Sequence, residues 1–291
     1  MMAINNRYEF VILFDVENGN PNGDPDFANN PRTDIETGHG IVTDVCLKRK
    51  IRNYVELVKE ESAGYKILIK TDKSLNAKFH DAYIECGIDT DRKEDTVTHD
   101  DKERVKEQAK DFMCKNYFDV RAFGAVMSTG SNPAGTVRGP IQINFARSIS
   151  PVTIEEITIT RQAKTTDERL KDSETEFGRK SIISYALYRA EGYVSAALAG
   201  KTGLSDEDLD LVWEAIVNMF EHDHSAARGK MIVRELIVFK HDTKLGCAPS
   251  HILFDKVQVR ENIDFVSRAY SDYIVEIDPE MPKGVEFIRK L

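Results

Sequence analysis

The segment Tyr8 to Val16, YEFVILFDV, constrains the fold of this chain more than any other stretch. It is apolar, of strand length and rich in aromatic and β-branched residues, so it reads as a first strand. Behind it, Asn18 to Gly40 is loaded with Asn, Gly, Pro and Asp, and turn-forming stretches of that length within a domain are usually functional or disordered. Thr43 or Asp44 is placed to cap a helix running to about Lys59, with Leu47, Ile51, Tyr54, Val55 and Val58 as its buried stripe. Tyr65 to Lys70 reads as a second strand. Helices near Ser74 to Glu85 and Lys102 to Asn116 flank the charged segment Asp89 to Asp101.

Gly124 to Gly139 reads as a Gly/Ser/Pro-rich loop, Pro140 to Ala146 as a third strand, and Thr153 to Arg161 as a half-exposed strand. The polar stretch Gln162 to Glu176 then suggests the tip of a protruding hairpin. Ile182 to Val194 is strand-like, and Ser205 caps a helix to Phe220 with Asp206, Glu207 and Asp208 complementing the dipole. Met231 to Phe239 is a further strand, with shorter candidates at Val257 to Val259 and Tyr273 to Ile277. The order contains a β-α-β-β-α-β skeleton with insertions, the ferredoxin-like α+β arrangement that RNA-recognition modules share. There is no internal repeat and no clean linker.

A composition of 41% hydrophobic and 31% charged residues excludes a membrane protein and argues against wholesale disorder. The N-terminal segment lacks an apolar stretch that could act as a signal peptide. Cys46, Cys86, Cys114 and Cys247 are widely spaced, without a CxxC pair, and read as reduced thiols of a cytosolic protein. The formal net charge is −9, but it is unevenly spread. From Ser205 to His224 there are seven acids and no Lys or Arg, whereas Arg121 to Lys164 carries five bases against Glu155 and Glu156. A polyanion responds to the local patch, because distant charges are screened.

Among the motifs, Lys48, Arg49 and Arg52 fall on one exposed arc beside the apolar stripe at roughly 100° per residue. They sit in the first half of the helix, where cations oppose the dipole, so they read as positive potential collected for a phosphate or as a plain solvated face. The loop Glu17 to Asp26 imitates an EF-hand register at Asn18, Asn20, Asn22 and Gly23. The first ligand position lacks its Asp, and Asn29 stands where a bidentate Glu belongs. A rigid, amide-rich loop able to bond sugar and phosphate, with Arg32 close behind, fits better. Gly130 to Thr136 has P-loop spacing without its Lys. His222-Asp223-His224, and His241 with Cys247 and His251, lack zinc-ligand spacing, and no nucleophilic triad stands out. No metal, cofactor or catalytic residue is assigned.

Phe14-Asp15-Val16, Asn18 to Pro25 and Asn30 to Asp34, followed by Val42 to Arg52, Asp119 to Gly124, Arg138 to Gln142, Ile157 to Arg161 and Asp223 to Lys230, together resemble a CRISPR-associated family. It is the crRNA-binding backbone subunit of Cascade, the Cas family seven protein of the Csd/Csh kind, and the likeness is greatest to its type I-C branch. The resemblance implies a single RRM-like palm over residues 1–291. A helical insertion is expected at about 72–118 and a β-hairpin thumb at about 149–181. It implies copies polymerising along one crRNA as a helical filament, beside other Cascade subunits, displaying bases for pairing with a target DNA strand.

Carried onto this chain, Lys48, Arg49 and Arg52 would hold the RNA backbone. Asn20, Asn22 and Arg32 would face the RNA or the adjacent copy, Arg121, Arg138 and Gln142 would line the palm, and Arg161 with Gln162 would lie at the thumb. Arg228 and Lys230 complete the set. A guide binder must accept any spacer, so its contacts should go to phosphates and 2′-hydroxyls. The expectation is a non-enzymatic, cytoplasmic protein with no membrane contact. The alternative is a metal-dependent target-RNA endonuclease of the type III kind, using Asp24, Asp26 or Asp34. A free-standing RNA-binding protein is the third reading.

Overall fold

A computed structural model describes residues 2–60, 62–88, 99–161, 176–262 and 266–291. In chain order the elements are β1 (Tyr8–Gly19), β2 (Gly23–Asp24), β3 (Asn30–Pro31), β4 (His39–Val42), α1 (Asp44–Lys59), α2 (Leu75–Glu85), α3 (His99–Asn116) and α4 (Phe118–Phe123). Then come β5 (Gly124–Met127), β6 (Gly135–Arg138), β7 (Ile141–Ile143), β8 (Ala146–Pro151), β9 (Ile154–Arg161), β10 (Glu176–Val194), α5 (Ala196–Thr202) and α6 (Asp206–Asn218). The chain closes with β11 (Lys230–His241), α7 (Ser250–Phe254), β12 (Val257–Glu261), β13 (Tyr273–Ile277) and β14 (Val285–Arg289).

β1 is central. The main sheet runs β14-β11-β1-β10-β8-β4, every neighbour antiparallel, with β7 and β9 also pairing β10. Strand alternation sends Phe10, Ile12, Phe14 and Val16 to one face and Val11 and Leu13 to the other, and all six are fully buried. On the first face lie α1 and α6, contributing Leu47, Ile51 and Val55, and Val212, Trp213 and Ile216. The Trp213 ring meets Phe10 edge-on at 5.2 Å, and Phe14 stacks on Tyr188 at 5.3 Å. The second face is covered by Leu253, Phe254, Val257 and Tyr273 from the C-terminal segments. Burial on both faces explains why YEFVILFDV is so continuously apolar. It also removes the open sheet surface on which RNA-recognition modules stack bases.

Taken alone, β1, α1, β8, β10, α6 and β11 give the order β-α-β-β-α-β. The second strand of that series is β7–β8, not Tyr65 to Lys70. The latter segment makes only an isolated bridge, Lys66 to Tyr117. Its backbone is satisfied by side chains instead of a ladder. Asp119 accepts the N–H groups of Leu68 and Ile69, and Lys78 donates to the carbonyls of Leu68 and Lys70. Between α1 and β7, α2, α3 and α4 with β5 and β6 build a smaller core of Phe79, Tyr83, Met113, Val120, Met127 and Val137. The loop expected over Gly124 to Gly139 is instead a hairpin, β5–β6. The strand expected over Pro140 to Ala146 divides into β7 and the start of β8, with Asn144 and Phe145 exposed between them. Val58, assigned to the buried stripe, is 44% exposed, because the last turn of α1 runs past the packing face where Leu57 is exposed too.

β10 is the longest element. Its pairing with β1 ends at Gly19 opposite Ile183, while its pairing with β9 continues to Glu176 opposite Arg161. Residues 176–182 therefore leave the sheet as a two-stranded arm of about 24 Å at strand rise. The polar tip expected over Gln162 to Glu176 lies outside the described residues, apart from Glu176 at the start of β10.

Candidate nucleic-acid interface

α1 organises the residues singled out in the sequence. Thr43 occupies its N-cap without a side-chain cap bond. The Asn22 amide oxygen instead accepts both the N–H and the hydroxyl of Thr43, each at 2.9 Å. Asn22 thus ties the turn-rich loop to the helix start. Asn20 is buried and donates to the Asn29 carbonyl at 2.7 Å, so it holds the loop closed rather than presenting an amide to solvent. Arg32 pairs with Asp24 at 3.3 Å across the small β2–β3 ribbon.

The three cations do not share one exposed arc. Lys48 is buried against Asp44 at 2.9 Å, and Arg52 is buried with its Nε on Asp119 at 2.8 Å. Both lie over the Phe123 ring, at 5.8 and 5.2 Å from its centre. Only Arg49 faces outward, donating to the Ile69 carbonyl at 2.8 Å. The helical wheel gave the azimuth correctly, but the insertion packs against this side of α1 and covers two of the three.

Arg121 is more deeply committed. It is 7% exposed and forms a two-pronged ion pair with Asp208, both contacts at 2.8 Å, while also donating to the carbonyls of Gly64, Cys114 and Lys115. It pins the insertion to the start of α6 and does not line an open surface. Arg138, at the end of β6, is exposed, and its guanidinium has no partner among the described residues. Gln142 is exposed and donates to the Gly139 carbonyl at 3.1 Å.

Arg138 is carried next to α1 by a close backbone crossing. A Cβ on Gly139 would lie 2.0 Å from the Phe123 carbonyl carbon, and one on Gly124, with φ +79°, would lie 2.4 Å from the Gly139 nitrogen. The crossing sets Phe123, over whose ring Lys48 and Arg52 lie, against Gly139, whose carbonyl Gln142 bonds. Arg161 ends β9 at the outer end of the arm, and Gln162 lies outside the described residues.

Arg228 sits in the turn between α6 and β11, and Lys230 begins β11. Arg228 bonds Asp223 at 2.7 Å and the Pro21 carbonyl at 3.3 Å, and Lys230 pairs with Glu17 at 3.1 Å. The same Asp223 holds Lys50, which is 2% exposed. Burial lowers the pKa of Lys50, while Asp223 works against that shift. Lys50 is not among the residues the sequence singles out. Its helical position, opposite Lys48, was the available signal. Asp119, Asp223 and Lys180 were also missed, each having a partner far away in sequence.

Of the carboxylates of the alternative reading, Asp24 and Asp34 are engaged, while Asp26 is exposed. Asp24 bonds Arg32 and the Asp26 N–H, and Asp34 accepts Arg147 at 2.7 Å with the N–H groups of Glu36 and Thr37. The Arg147 bond holds the Asp34 carboxyl below its ordinary range. Among the described residues, no three His, Cys, Asp or Glu side chains converge in a way that could hold a metal. No described helix is long and apolar enough to cross a membrane.

The fold and these side chains define an α+β protein with a large antiparallel sheet, a helical insertion and a projecting two-stranded arm. A family model described as CRISPR-associated protein Cas7 matches residues 6–278, and the chain belongs to that family. A CRISPR-associated protein Cas7 of Haloferax volcanii is 27% identical over 237 residues, which is 75% of this chain and 66% of that protein. The chain thus spans just under two thirds of that relative. Among solved structures, a chain of a "CRISPR RNA-guided surveillance complex, pre-nicking" is similar at a TM-score of 0.49 and 14% identity, over 80% of this chain and 78% of that one. A chain of a "CRISPR RNA-guided surveillance complex" gives a TM-score of 0.43 and 16% identity, over 79% and 68%.

Proposed function

We propose that this protein is a crRNA-binding backbone subunit of a Cascade surveillance complex, of the type I-C kind. Several cytoplasmic copies would polymerise along one guide and present its bases for pairing with target DNA. Membership of the Cas7 family over residues 6–278 carries the reading. In structural terms the β-α-β-β-α-β sheet is an RRM-like palm, α2 to α4 the inserted domain and the β9–β10 arm the thumb.

The chemistry agrees. The sheet face that an RNA-recognition module uses for base stacking is filled here by Leu253, Phe254, Val257 and Tyr273, so RNA is held by polar groups at the edge of the palm. Arg49, Arg138 and Gln142 are the outward groups beside α1, all suited to phosphate and 2′-hydroxyl contacts that ignore base identity. The protein supplies backbone geometry, base pairing supplies sequence, and no chemical step belongs to this subunit.

Light-scattering mass after size-exclusion chromatography tests the reading, with protein alone and with guide RNAs of increasing length. Mass should rise in integral protomer steps with RNA length, and the RNA should stay intact with magnesium present. One protomer per RNA at every length, or cleavage abolished by Asp24→Ala, would overturn it.

A further inference from the structure

The turn 222–229 lies where three elements meet, and each is tied to it by a different group. Asp223 receives Lys50 from α1 and Arg228 from within the turn. The Ala227 carbonyl accepts the Asn20 N–H at 2.8 Å, and Arg228 reaches the Pro21 carbonyl, so the turn also holds the loop Asn18 to Asp24. The Ala226 carbonyl accepts Lys180 at 2.8 Å, and Lys180 belongs to the part of β10 that has left the sheet with β9. Loop and turn interlock without side chains between them. A Cβ on Gly19 would lie 1.8 Å from the Arg228 carbonyl oxygen, and one on Gly229, at φ +63°, would lie 2.4 Å from the carbonyl oxygens of Glu17 and Asn18. Such contact leaves no room for the loop to shift while the turn stays still.

We propose that this turn couples the arm to the α1 face, with Lys50, Asp223 and Lys180 acting as positioning residues. The inference rests on the guide-binding reading and deepens it. Asp223 fixes the turn to α1, the turn fixes the loop, and Lys180 sets the arm against the same piece. A displacement of the arm by RNA is thereby transmitted to Asn20 and Asn22, and through Asn22 to the start of α1. Lys180 touches the protein backbone and is not a phosphate ligand, and Asp223 as an anion cannot be one.

Two measurements on the full chain test this. The first needs no RNA: hydrogen exchange of wild type, Lys180→Met and Asp223→Asn. Coupling predicts that Lys180→Met speeds exchange in the loop Asn20 to Asn22 as well as in β9, while amides of β1 and β11 keep wild-type protection. Faster exchange confined to the arm would overturn it. The second measures affinity against salt for guide RNA carrying 2-aminopurine at successive positions.

For Lys180→Met the fluorescence pattern should change while the salt slope stays at the wild-type value. A slope smaller by about 0.7, the signature of one lost phosphate contact to a single strand, would make Lys180 an RNA ligand and overturn the proposal. Asp223→Glu should restore the wild-type exchange pattern that Asp223→Asn loses. If wild type does not assemble on RNA, the guide-binding reading fails by itself, and the exchange experiment still decides the coupling.

Discussion

Replacing Arg121 by Met separates two meanings of an arginine within Asp119 to Gly124. In the structure the guanidinium is buried, grips Asp208 with two contacts of 2.8 Å and donates to three backbone carbonyls. Met keeps much of the volume but strands the Asp208 carboxylate, itself 2% exposed, with a Ser205 N–H at 3.1 Å as a remaining donor. Removing one partner from a buried ion pair costs about 3–5 kcal/mol, because the other charge stays desolvated. At a urea slope of roughly 3 kcal/mol/M, the unfolding midpoint should fall by about 1–1.7 M.

Asp208→Asn in the same background should recover part of that loss, since the stranded charge is removed. RNA affinity and its salt slope, measured where both proteins are folded, should match wild type. A loss of stability below about 1 kcal/mol, together with a weaker and less salt-dependent RNA complex, would refute the reasoning and return Arg121 to the RNA surface.

The cations of α1 should divide in the same way. Arg52→Ala removes a buried partner of Asp119 and should lower the melting temperature, whereas Arg49→Ala should leave melting unchanged and weaken RNA binding; calorimetry and filter binding check both. Arg138→Gln should weaken binding equally for unrelated guide sequences and reduce the salt slope by about 0.7, with no change in melting temperature. Stability at acid pH should depend on Asp72, whose carboxyl is held down at about 2 by its hydrogen bond to Lys78. Because the folded value is the lower one, this contribution is complete above the ordinary value of 3.8 and is lost as pH falls toward 2. Urea unfolding of Asp72→Asn should accordingly decline less steeply than wild type between those two pH values.

The central strand, α1 and the capped α6 were legible because each is encoded locally. YEFVILFDV needs no partner to read as a buried strand, and Ser205 with Asp208 forms a capping box within four residues. Tyr65 to Lys70 misled because its β-like composition is real while its backbone partners, Asp119 and Lys78, are side chains from elsewhere. The β5–β6 hairpin was hidden by the Gly, Ser and Pro that make its connecting turn. Sequence spacing alone could not join Arg121 to Asp208, Arg52 to Asp119, or Lys50 and Arg228 to Asp223.

Those pairings also change what the net charge of −9 means. Lys48, Arg52, Arg121 and Arg228, each named as an RNA contact, are neutralised by Asp44, Asp119, Asp208 and Asp223 within the same chain. What a phosphate can meet is therefore a small set of cations, the half-buried Arg49 on α1 and the exposed Arg138 foremost. With about 0.7 in the salt slope for each phosphate contact to a single strand, each protomer should bind with shallow salt dependence, and avidity along the guide must supply the rest. If the protein is the guide scaffold proposed above, it should hold RNA firmly only when neighbouring copies are in place, which would distinguish it from a free-standing RNA-binding protein.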